Sequence, residues 1–510
     1  MSRSGWLFSV WRSSGLSRSG QPAGWGGARR GLAAVLLLAL ALRVAAVFLF
    51  PSLHHGDENF QTMEIAHRLA FGYGATTWEF EDGLRSLVAP TLMSWLFRVV
   101  EPVLGGPQGY IDALRIALAA ISLFAVAAVY GMGLRTSRTH ALFAGLVAAT
   151  WFELVYFSSR PLSESLAADA LLPALAMASR PPAELDRRRL AAIGLCLGLT
   201  AALRVQLVVG ALFAVFYVGW AAGRRRWLWL AAGAAIPILA FGAVDWATWG
   251  APFHSYVEAI RVNLVEGRSS VYGTHPVGWY FALVAVQWGF AVPILAALLA
   301  LRARASWLWI GAAAAIVASH LLVAHKEYRF LFPALACLIV VAAMASADLV
   351  EAARRRWRRG AVWLAPLAAV AWCAVSAWLA FAPAFAPNWF RSRALIELSF
   401  RAAQQERLCG LALYDDSWVH SGGYAHLHRD IPIYAMLHDR PLAQRSTPAF
   451  NAVLLRQSSA PDFAPEFTIG DCVDDRPDPL CLAERAGECR LVPGLIPLQQ
   501  RRRLGEDPTD

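Results

Sequence analysis

The chain has 510 residues, of which 57% are hydrophobic and only 16% are charged, and it contains 21 tryptophans. This composition excludes an ordinary soluble enzyme, and the length exceeds what one buried core would hold. The net charge of +10 does not indicate nucleic-acid binding, because the arginines lie in short stretches between apolar runs and form no continuous face. The chain therefore reads as a membrane protein with several spans.

Eleven apolar runs are candidates to cross a bilayer, which takes about 20 residues in a helix. The segment from Leu190 to Leu203 is the shortest of them. The predicted spans are Gly31–Phe50, Ile111–Leu134, His140–Phe157, Leu162–Ser179, Leu190–Leu203, Val205–Ala222, Trp227–Trp249, Val277–Leu301, Ser306–Val323, Phe330–Val350 and Ala361–Ala382.

Arginine clusters occur at every second connection between these spans, and positive charge marks the cytoplasmic side. The clusters are Arg29 and Arg30, Arg135 and Arg138, 187–189, 224–226, Arg302 and Arg304, and 354–359. They place the amino terminus in the cytoplasm. The opposite connections, at 51–110, 158–161, 250–276 and 324–329, then lie outside with the chain after Ala384. We predict a disordered cytoplasmic tail at 1–30, a transmembrane catalytic domain at 31–383 and an extracytoplasmic domain at 384–510.

The carboxy-terminal region differs in composition from the bundle. It has mixed polarity and strand-like stretches such as "LCGLALYDDSWVHSGGY" and "IPIYAML", so we expect a small α/β domain that ends in a frayed segment at 501–510. Its four cysteines, Cys409, Cys472, Cys481 and Cys489, form an even set that suggests disulfides of open pairing. No histidine or cysteine spacing indicates a structural zinc site.

The first outer loop, 51–110, carries Asp57 and Glu58 about seven residues past a span. Carboxylates at that depth are partly desolvated, which raises the proton affinity of one of them and suits it for general-base work. A solvated loop with ordinary acids is the plain alternative. The loop continues through an amphipathic segment to Arg85, and residues 87–100 read as a helix lying in the interface.

Other outer connections also hold ionisable residues against span ends. Each alone could be a long side chain that extends from the boundary to water. Together they form a group of charges on one side, which suits a phosphate anchored to a lipid. These residues are Arg160, Glu164, Arg204, His275, His325, Lys326, Glu327 and Arg329.

At these positions the chain resembles a known family. "HGDENFQTMEIAHRLAFGYGATTWEF" is similar to the first luminal loop of the mannosyltransferases that use a lipid-phosphate mannose donor, the group of GPI mannosyltransferase III and the Alg9-type enzymes. "SRPLSES", "SSVYGTHPVGWY" and "HKEYRFLFP" resemble later motifs of the same family, in the family's order, between Leu53 and Pro333.

The resemblance implies a C-type glycosyltransferase fold, an all-α polytopic membrane bundle of about 11 transmembrane helices with the small α/β domain outside. It implies Asp57 as the base that deprotonates the acceptor, with Glu58 as its support or an acceptor ligand, and it puts His325, Lys326, Arg329 and Arg204 near the donor phosphate. We assign substrate binding to the other polar and aromatic side chains of these motifs: His55, Gln61, Trp78, Glu79, Arg85, Arg160, Glu164, His275 and Glu327.

The expected reaction moves mannose, with inversion, from a polyprenyl-phosphate sugar to a glycolipid or glycan hydroxyl. No cofactor is required, although a divalent cation near Asp57 and Glu58 is a second option. Gly56 stands where the family has proline, and the Ala-, Arg- and Leu-rich composition looks bacterial. The membrane is then the inner membrane, or the endoplasmic reticulum in a eukaryote. A transporter or lipid flippase is the competing interpretation, and it should place charges near the midplane of several spans.

Overall fold

The computed structural model describes residues 25–222, 226–357, 361–436 and 447–506. A helical bundle occupies the first three quarters of the chain, and a small sheet domain follows it. The bundle helices are α1 (Trp25–Leu49), α2 (Gly56–Glu58), α3 (Glu64–Phe71), α4 (Trp78–Glu81), α5 (Val88–Leu104), α6 (Gly106–Leu134), α7 (Arg138–Thr150), α8 (Phe152–Tyr156), α9 (Ser163–Ala178), α10 (Arg187–Leu203), α11 (Val208–Ala222), α12 (Trp227–Trp249), α13 (His254–Ile260), α14 (Trp279–Trp288), α15 (Ala291–Arg302), α16 (Trp307–Leu321), α17 (Tyr328–Arg356) and α18 (Leu364–Phe381).

Every predicted span coincides with helix, but not every span is one straight helix. Within the described residues, five helices are long and apolar enough to cross a membrane, or up to seven if each bent pair counts as one span. The predicted number of 11 is therefore not confirmed. α17 has the most buried surface of the five, which makes it the central helix of the bundle.

Two of the predicted spans, His140–Phe157 and Val277–Leu301, are each formed by two helices that meet at a bend. α7 and α8 meet at 57° around Trp151, and α14 and α15 meet at 107°. Gly289 lies at the second break with φ of +49°, a backbone conformation that glycine adopts at little cost. Apolar periodicity could not show these breaks because hydrophobic residues continue through both of them.

The two sets of connections separate to opposite ends of the bundle, as the arginine pattern predicted. At one end, Arg354 donates to Thr139 and Arg226 donates to the Pro182 carbonyl. At the other end, the His275 amide donates to the Ala324 carbonyl. We call this second end, which carries the first loop (51–87) and the carboxy-terminal domain, the loop end.

The amino-terminal prediction needs one correction. Residues 25–30, which we assigned to a disordered tail, are the first turns of α1. Arginines at a span end can stay in the helix while their side chains reach water, and the Tyr130 hydroxyl donates to the Ala28 carbonyl at 3.1 Å. Residues 1–24 lie outside the described part of the chain.

The carboxy-terminal domain is the α/β unit that the sequence predicts. It contains helices α19 (Pro387–Phe390), α20 (Arg393–Ala403) and α21 (Gly423–Leu427) and a five-stranded sheet of order β2-β1-β3-β5-β4, against which α20 packs. β1 pairs in parallel with β2 and β3, whereas β5 is antiparallel to β3 and β4. The strands are β1 (Leu411–Tyr414), β2 (Ile433–Met436), β3 (Ala452–Arg456), β4 (Thr468–Val473) and β5 (Leu480–Glu484).

All four cysteines of this domain form disulfides, which confirms the prediction from their even number. Cys409 pairs with Cys489, and Cys472 pairs with Cys481 across the β4–β5 ladder. The second bond joins the edge strand β4 to β5, and the first joins Cys409, before β1, to the chain that follows β5.

The end of the domain is packed against the first loop, contrary to the predicted frayed segment at 501–510. The Trp78 amide donates to the Leu504 carbonyl at 3.0 Å, and Arg503 pairs with Asp82 at 2.8 Å. Residues 501–506 are held because they form backbone and charge contacts that composition does not reveal. Residues 507–510 lie outside the described part.

Candidate active site

A cavity of about 100 Å³ opens at the loop end, between the first loop and helices α9, α10, α12 and α17. Five of the predicted site residues line it: Asp57, Gln61, Arg85, Glu164 and Arg329. Part of the remaining wall is apolar and comes from Leu162, Leu166, Leu203 and Phe241. The cavity thus combines a charged floor with an apolar side, as a lipid with a polar head requires.

Asp57 is the charged residue of the first loop that faces this cavity. Its Oδ2 accepts a hydrogen bond from Arg329 Nη2 at 2.6 Å, and its Oδ1 lies 3.3 Å from His55 Nδ1. The side chain is 24% exposed. Burial raises the pKa of the Asp57 carboxyl, but the charges of Arg329 and His55 outweigh it and hold this pKa well below its usual range.

The expectation that desolvation raises the proton affinity of Asp57 or Glu58 is therefore wrong for Asp57, because Arg329 contacts it directly. Among the predicted acidic site residues outside the spans, the carboxyl group with a raised pKa is that of Glu79, where burial is the main cause and Arg85 opposes it. Glu79 Oε1 accepts a hydrogen bond from Gln61 Nε2 at 2.9 Å. Gln61 thus links the cavity wall to this second carboxyl group.

Arg329 is the centre of a buried charge network. Glu327 Oε2 accepts from Arg329 Nε at 2.7 Å, and Glu164 Oε1 lies 3.9 Å from the same nitrogen. Glu164 also pairs with Arg204 Nη2 at 3.1 Å, and the Arg204 guanidinium lies 4.8 Å from the centre of the Phe330 ring. Carboxylates and arginines therefore alternate in this network, and its members Asp57, Glu164 and Arg329 line the cavity.

Glu58 points away from the cavity, so the structure separates the two adjacent acids. Its side chain is fully buried and accepts from the His54 amide at 2.8 Å. Arg160 Nη1 lies 3.3 Å away, and Arg115 Nη2 lies 3.7 Å away. Glu58 and Arg160 hold the loop against the bundle and do not contact the cavity, contrary to their predicted catalytic and substrate-binding places. Arg115 was missed, although its position early in a predicted span was a signal.

Lys326 and His325 are also turned away from the cavity. The Lys326 ammonium donates to the carbonyls of His275 at 3.0 Å and Val323 at 2.5 Å, and its residue is 3% exposed. His325 contacts the Gly273 carbonyl and Glu327, each at 3.0 Å. Both side chains join the 250–276 connection to the turn before α17. Neither lines the cavity, which differs from the prediction that they lie near the donor phosphate.

Of the remaining predicted residues, Trp78 lies in the first loop and His275 lies in the 250–276 connection. Trp78 Nε1 donates to the Tyr272 hydroxyl at 2.8 Å, and the Arg268 guanidinium lies 4.9 Å from a Trp78 ring centre. The His275 ring stacks on Trp279 with 4.1 Å between centres. Tyr272 and Arg268 are absent from the predicted site, although Tyr272 lies within the motif "SSVYGTHPVGWY", which was the signal that could have found it.

A divalent cation does not fit the Asp57–Glu58 pair as the side chains stand. Asp57 is occupied by Arg329, and Glu58 is occupied by Arg160 and a backbone amide. In the part of the chain that the structure describes, no group of three or more histidine, cysteine, aspartate or glutamate side chains is placed to hold a metal ion.

The fold is that of C-type glycosyltransferases. The chain superposes on ArnT from Cupriavidus metallidurans, in a crystal structure bound to undecaprenyl phosphate, with a TM-score of 0.56 and 14% identity. The match covers 90% of this chain and 98% of that one.

The chain belongs to the Alg9-like mannosyltransferase family, whose model matches residues 34–398. GPI mannosyltransferase 3 of Yarrowia lipolytica is 28% identical over 430 residues, which cover 80% of this chain and 78% of that protein. GPI mannosyltransferase 3 of Drosophila melanogaster is 31% identical over 256 residues, which cover 49% of this chain and 43% of that protein. The predicted family is thus confirmed, and the chain is a membrane-bound mannosyltransferase.

Proposed function

We propose that the protein transfers mannose from a polyprenyl-phosphate mannose to a glycolipid hydroxyl, with inversion at the anomeric carbon and Asp57 as the base. The observation that carries this proposal is the position of Asp57. It faces a cavity with an apolar wall, it is ionised beside Arg329, and its neighbour Glu58 is buried elsewhere.

The donor phosphate fits between Arg329 and Arg85. Both line the cavity, and Arg85 Nε is buried with no hydrogen-bond partner among the described residues, which leaves a donor available to an anionic ligand. The apolar side of the cavity at Leu203 and Phe241 suits the first carbons of the lipid. This assignment replaces Lys326 and His325 with Arg85 as the second cation.

The reaction then balances without a further group. The acceptor hydroxyl oxygen forms a bond to the anomeric carbon of mannose as the bond from that carbon to the phosphate oxygen breaks. The leaving polyprenyl phosphate takes the bonding electrons, and Arg329 and Arg85 stabilise its developing charge. The carboxylate of Asp57 takes the hydroxyl proton. A low pKa keeps this carboxylate ionised at physiological pH.

The acceptor to test first is a mannosylated glycosylphosphatidylinositol, because the relatives are named GPI mannosyltransferases. We further propose that the loop end is the non-cytoplasmic side and that the amino terminus is cytoplasmic. The arginines at the opposite end of the bundle support this orientation.

A transfer assay in proteoliposomes tests the proposal. Labelled polyprenyl-phosphate mannose is supplied with the mannosylated lipid and, separately, with total lipid extract from the source cells. Asp57→Asn should lower turnover by about 10²- to 10⁴-fold, the usual contribution of a general base, while thermal unfolding stays near that of the native protein. Asp474→Asn, at a side chain that is 72% exposed, is the matched control. Full activity of Asp57→Asn, or no transfer by the native protein to any acceptor, would contradict the proposal.

A further inference from the structure

A segment of the carboxy-terminal domain packs directly on the loop that carries Asp57. The Trp418 ring meets Phe60 edge to face, with 4.7 Å between ring centres. A Cβ atom added to Gly56 would lie 2.1 Å from Val419 Cγ1 and 2.9 Å from the Val419 carbonyl oxygen. The residue next to the proposed base is therefore glycine because the domain occupies the space where a side chain would stand.

Two histidines lie beside this contact, His55 next to Gly56 and His420 next to Val419. His55, whose side chain is 35% exposed, lies 3.3 Å from Asp57 on one ring nitrogen and 3.7 Å from Glu327 on the other. His420 directly follows Val419 and is exposed. His55 therefore contacts Asp57 directly, and His420 lies on the part of the carboxy-terminal domain that packs next to Gly56.

The acceptor has to approach Asp57 from its exposed side, since the donor fills the cavity on the other side. We propose that Val419 and His420 form part of the acceptor-binding wall, so that the carboxy-terminal domain helps to select the acceptor glycan. This inference rests on the proposed function and adds to it two specificity-determining residues outside the bundle. The ligand class is a hydroxyl-rich sugar, which an imidazole can bind as hydrogen-bond donor and acceptor.

The wall is held firmly in place. Glu64, in α3 just after the Asp57 motif, accepts from the Ala425 amide at 2.9 Å, and the Tyr110 hydroxyl donates to the Ala425 carbonyl at 2.5 Å. Arg503 pairs with Asp82 on the far side of the same loop. Partial desolvation, together with the charges of Arg391 and His55, lowers the pKa of His420, and the ring stays neutral for hydrogen bonding to hydroxyl groups.

The first test compares His420→Ala and His420→Gln in the proteoliposome assay, with the mannosylated lipid as the varied acceptor. We expect His420→Ala to raise the acceptor KM about 3- to 10-fold, the effect of one lost hydrogen bond, with the donor KM unchanged. Glutamine also has a hydrogen-bonding side chain, so His420→Gln should restore most of the loss. Arg476→Ala, at a side chain that is 91% exposed, is the control and should change neither constant.

A second pair of variants tests the packing. Gly56→Ala should displace Val419 and raise the acceptor KM. Because the two residues are in contact, the change in acceptor KM of the double variant Gly56→Ala/Val419→Ala should differ from the product of the two single changes. If His420→Ala changes the donor KM and the acceptor KM equally, or leaves the acceptor KM unchanged, the inference is wrong. The proposed function still stands in that case, provided that the native protein transfers mannose. No transfer by the native protein would refute the proposed function and this inference with it.

Discussion

Arg329 sets the proton affinity of Asp57, and its replacement by glutamine should shift the pH dependence of turnover. In the native protein the Asp57 carboxyl has a pKa well below its usual range, so activity should persist on acidification until the pH falls through that low value. Arg329 Nη2 donates to Asp57 at 2.6 Å. Loss of an opposite charge at this distance raises a carboxyl pKa by about 1–3 units, at about 1.4 kcal/mol per unit.

The assay is kcat/KM for mannose transfer between pH 4 and pH 8. In the native protein, kcat/KM should show no fall on acidification, or acid limb, that belongs to Asp57 in this range. Arg329→Gln should show such a limb, because burial still raises the pKa of the Asp57 carboxyl after the opposing charge of Arg329 is gone. Arg329 also faces the donor site, so the height of the profile should drop as well. The position of the limb is a separate quantity, and it reports the pKa of the base in the free enzyme.

Two further variants separate electrostatics from damage to the fold. Arg329→Lys retains the charge and should leave the limb near its native place. Arg355→Gln, at the opposite end of α17 with a side chain that is 73% exposed, should change nothing. Arg329 is 3% exposed in its side chain and meets three carboxylates, so Arg329→Gln should also lower the free energy of unfolding by about 3–5 kcal/mol. A folded Arg329→Gln protein with the native profile would refute the role given to Arg329.

Two other predictions concern the carboxy-terminal domain. Replacing Cys409 and Cys489 by serine should lower the free energy of unfolding by about 4–5 kcal/mol, and replacing Cys472 and Cys481 should lower it by about 2–3 kcal/mol, because the first bond spans 80 residues and the second spans 9. Urea unfolding of the two variants measures both losses. A larger loss for the shorter loop would contradict the prediction. Burial raises the pKa of Glu64 from 4.5 to about 7 despite its bonds to backbone amides, so the folded protein holds this proton more tightly than the unfolded chain. That stabilisation is complete below pH 4.5 and is lost as the pH rises to 7. The Tm of the native protein relative to that of Glu64→Gln should therefore fall over this interval. A Tm difference that does not change with pH would exclude the effect.

The motif around Asp57 could be predicted because its information is local. An acid pair directly after a span, followed by an amphipathic helix, places the residues near the interface, and the structure puts Asp57 at the cavity. Which of the two acids faces the cavity could not be predicted. That choice depends on Arg160 and Arg115, which lie 102 and 57 positions away from Glu58 in the chain and surround it.

Lys326 shows why charge near a membrane boundary is a weak guide to ligand binding. The sequence places it next to Arg329, and only the turn before α17 decides that its ammonium faces backbone carbonyls and not the cavity. Arg85, by contrast, ends a loop whose sequence gave no reason to prefer it for the phosphate. Its buried nitrogen without a partner is a property of the assembled fold.

One buried charge deep in the bundle bears on the transporter interpretation. Arg43 in α1 is 2% exposed, and charged groups in the middle of a span are what a transport path would require. Its guanidinium is already bonded, to Ser122 at 2.8 Å and to the carbonyls of Ala148 and Ala149 at 3.1 Å, where α7 ends. The cavity beside it measures about 10 Å³, which is room for about one water molecule. Arg43 therefore satisfies carbonyls at the break between α7 and α8, so its burial is explained by the fold without a transport path.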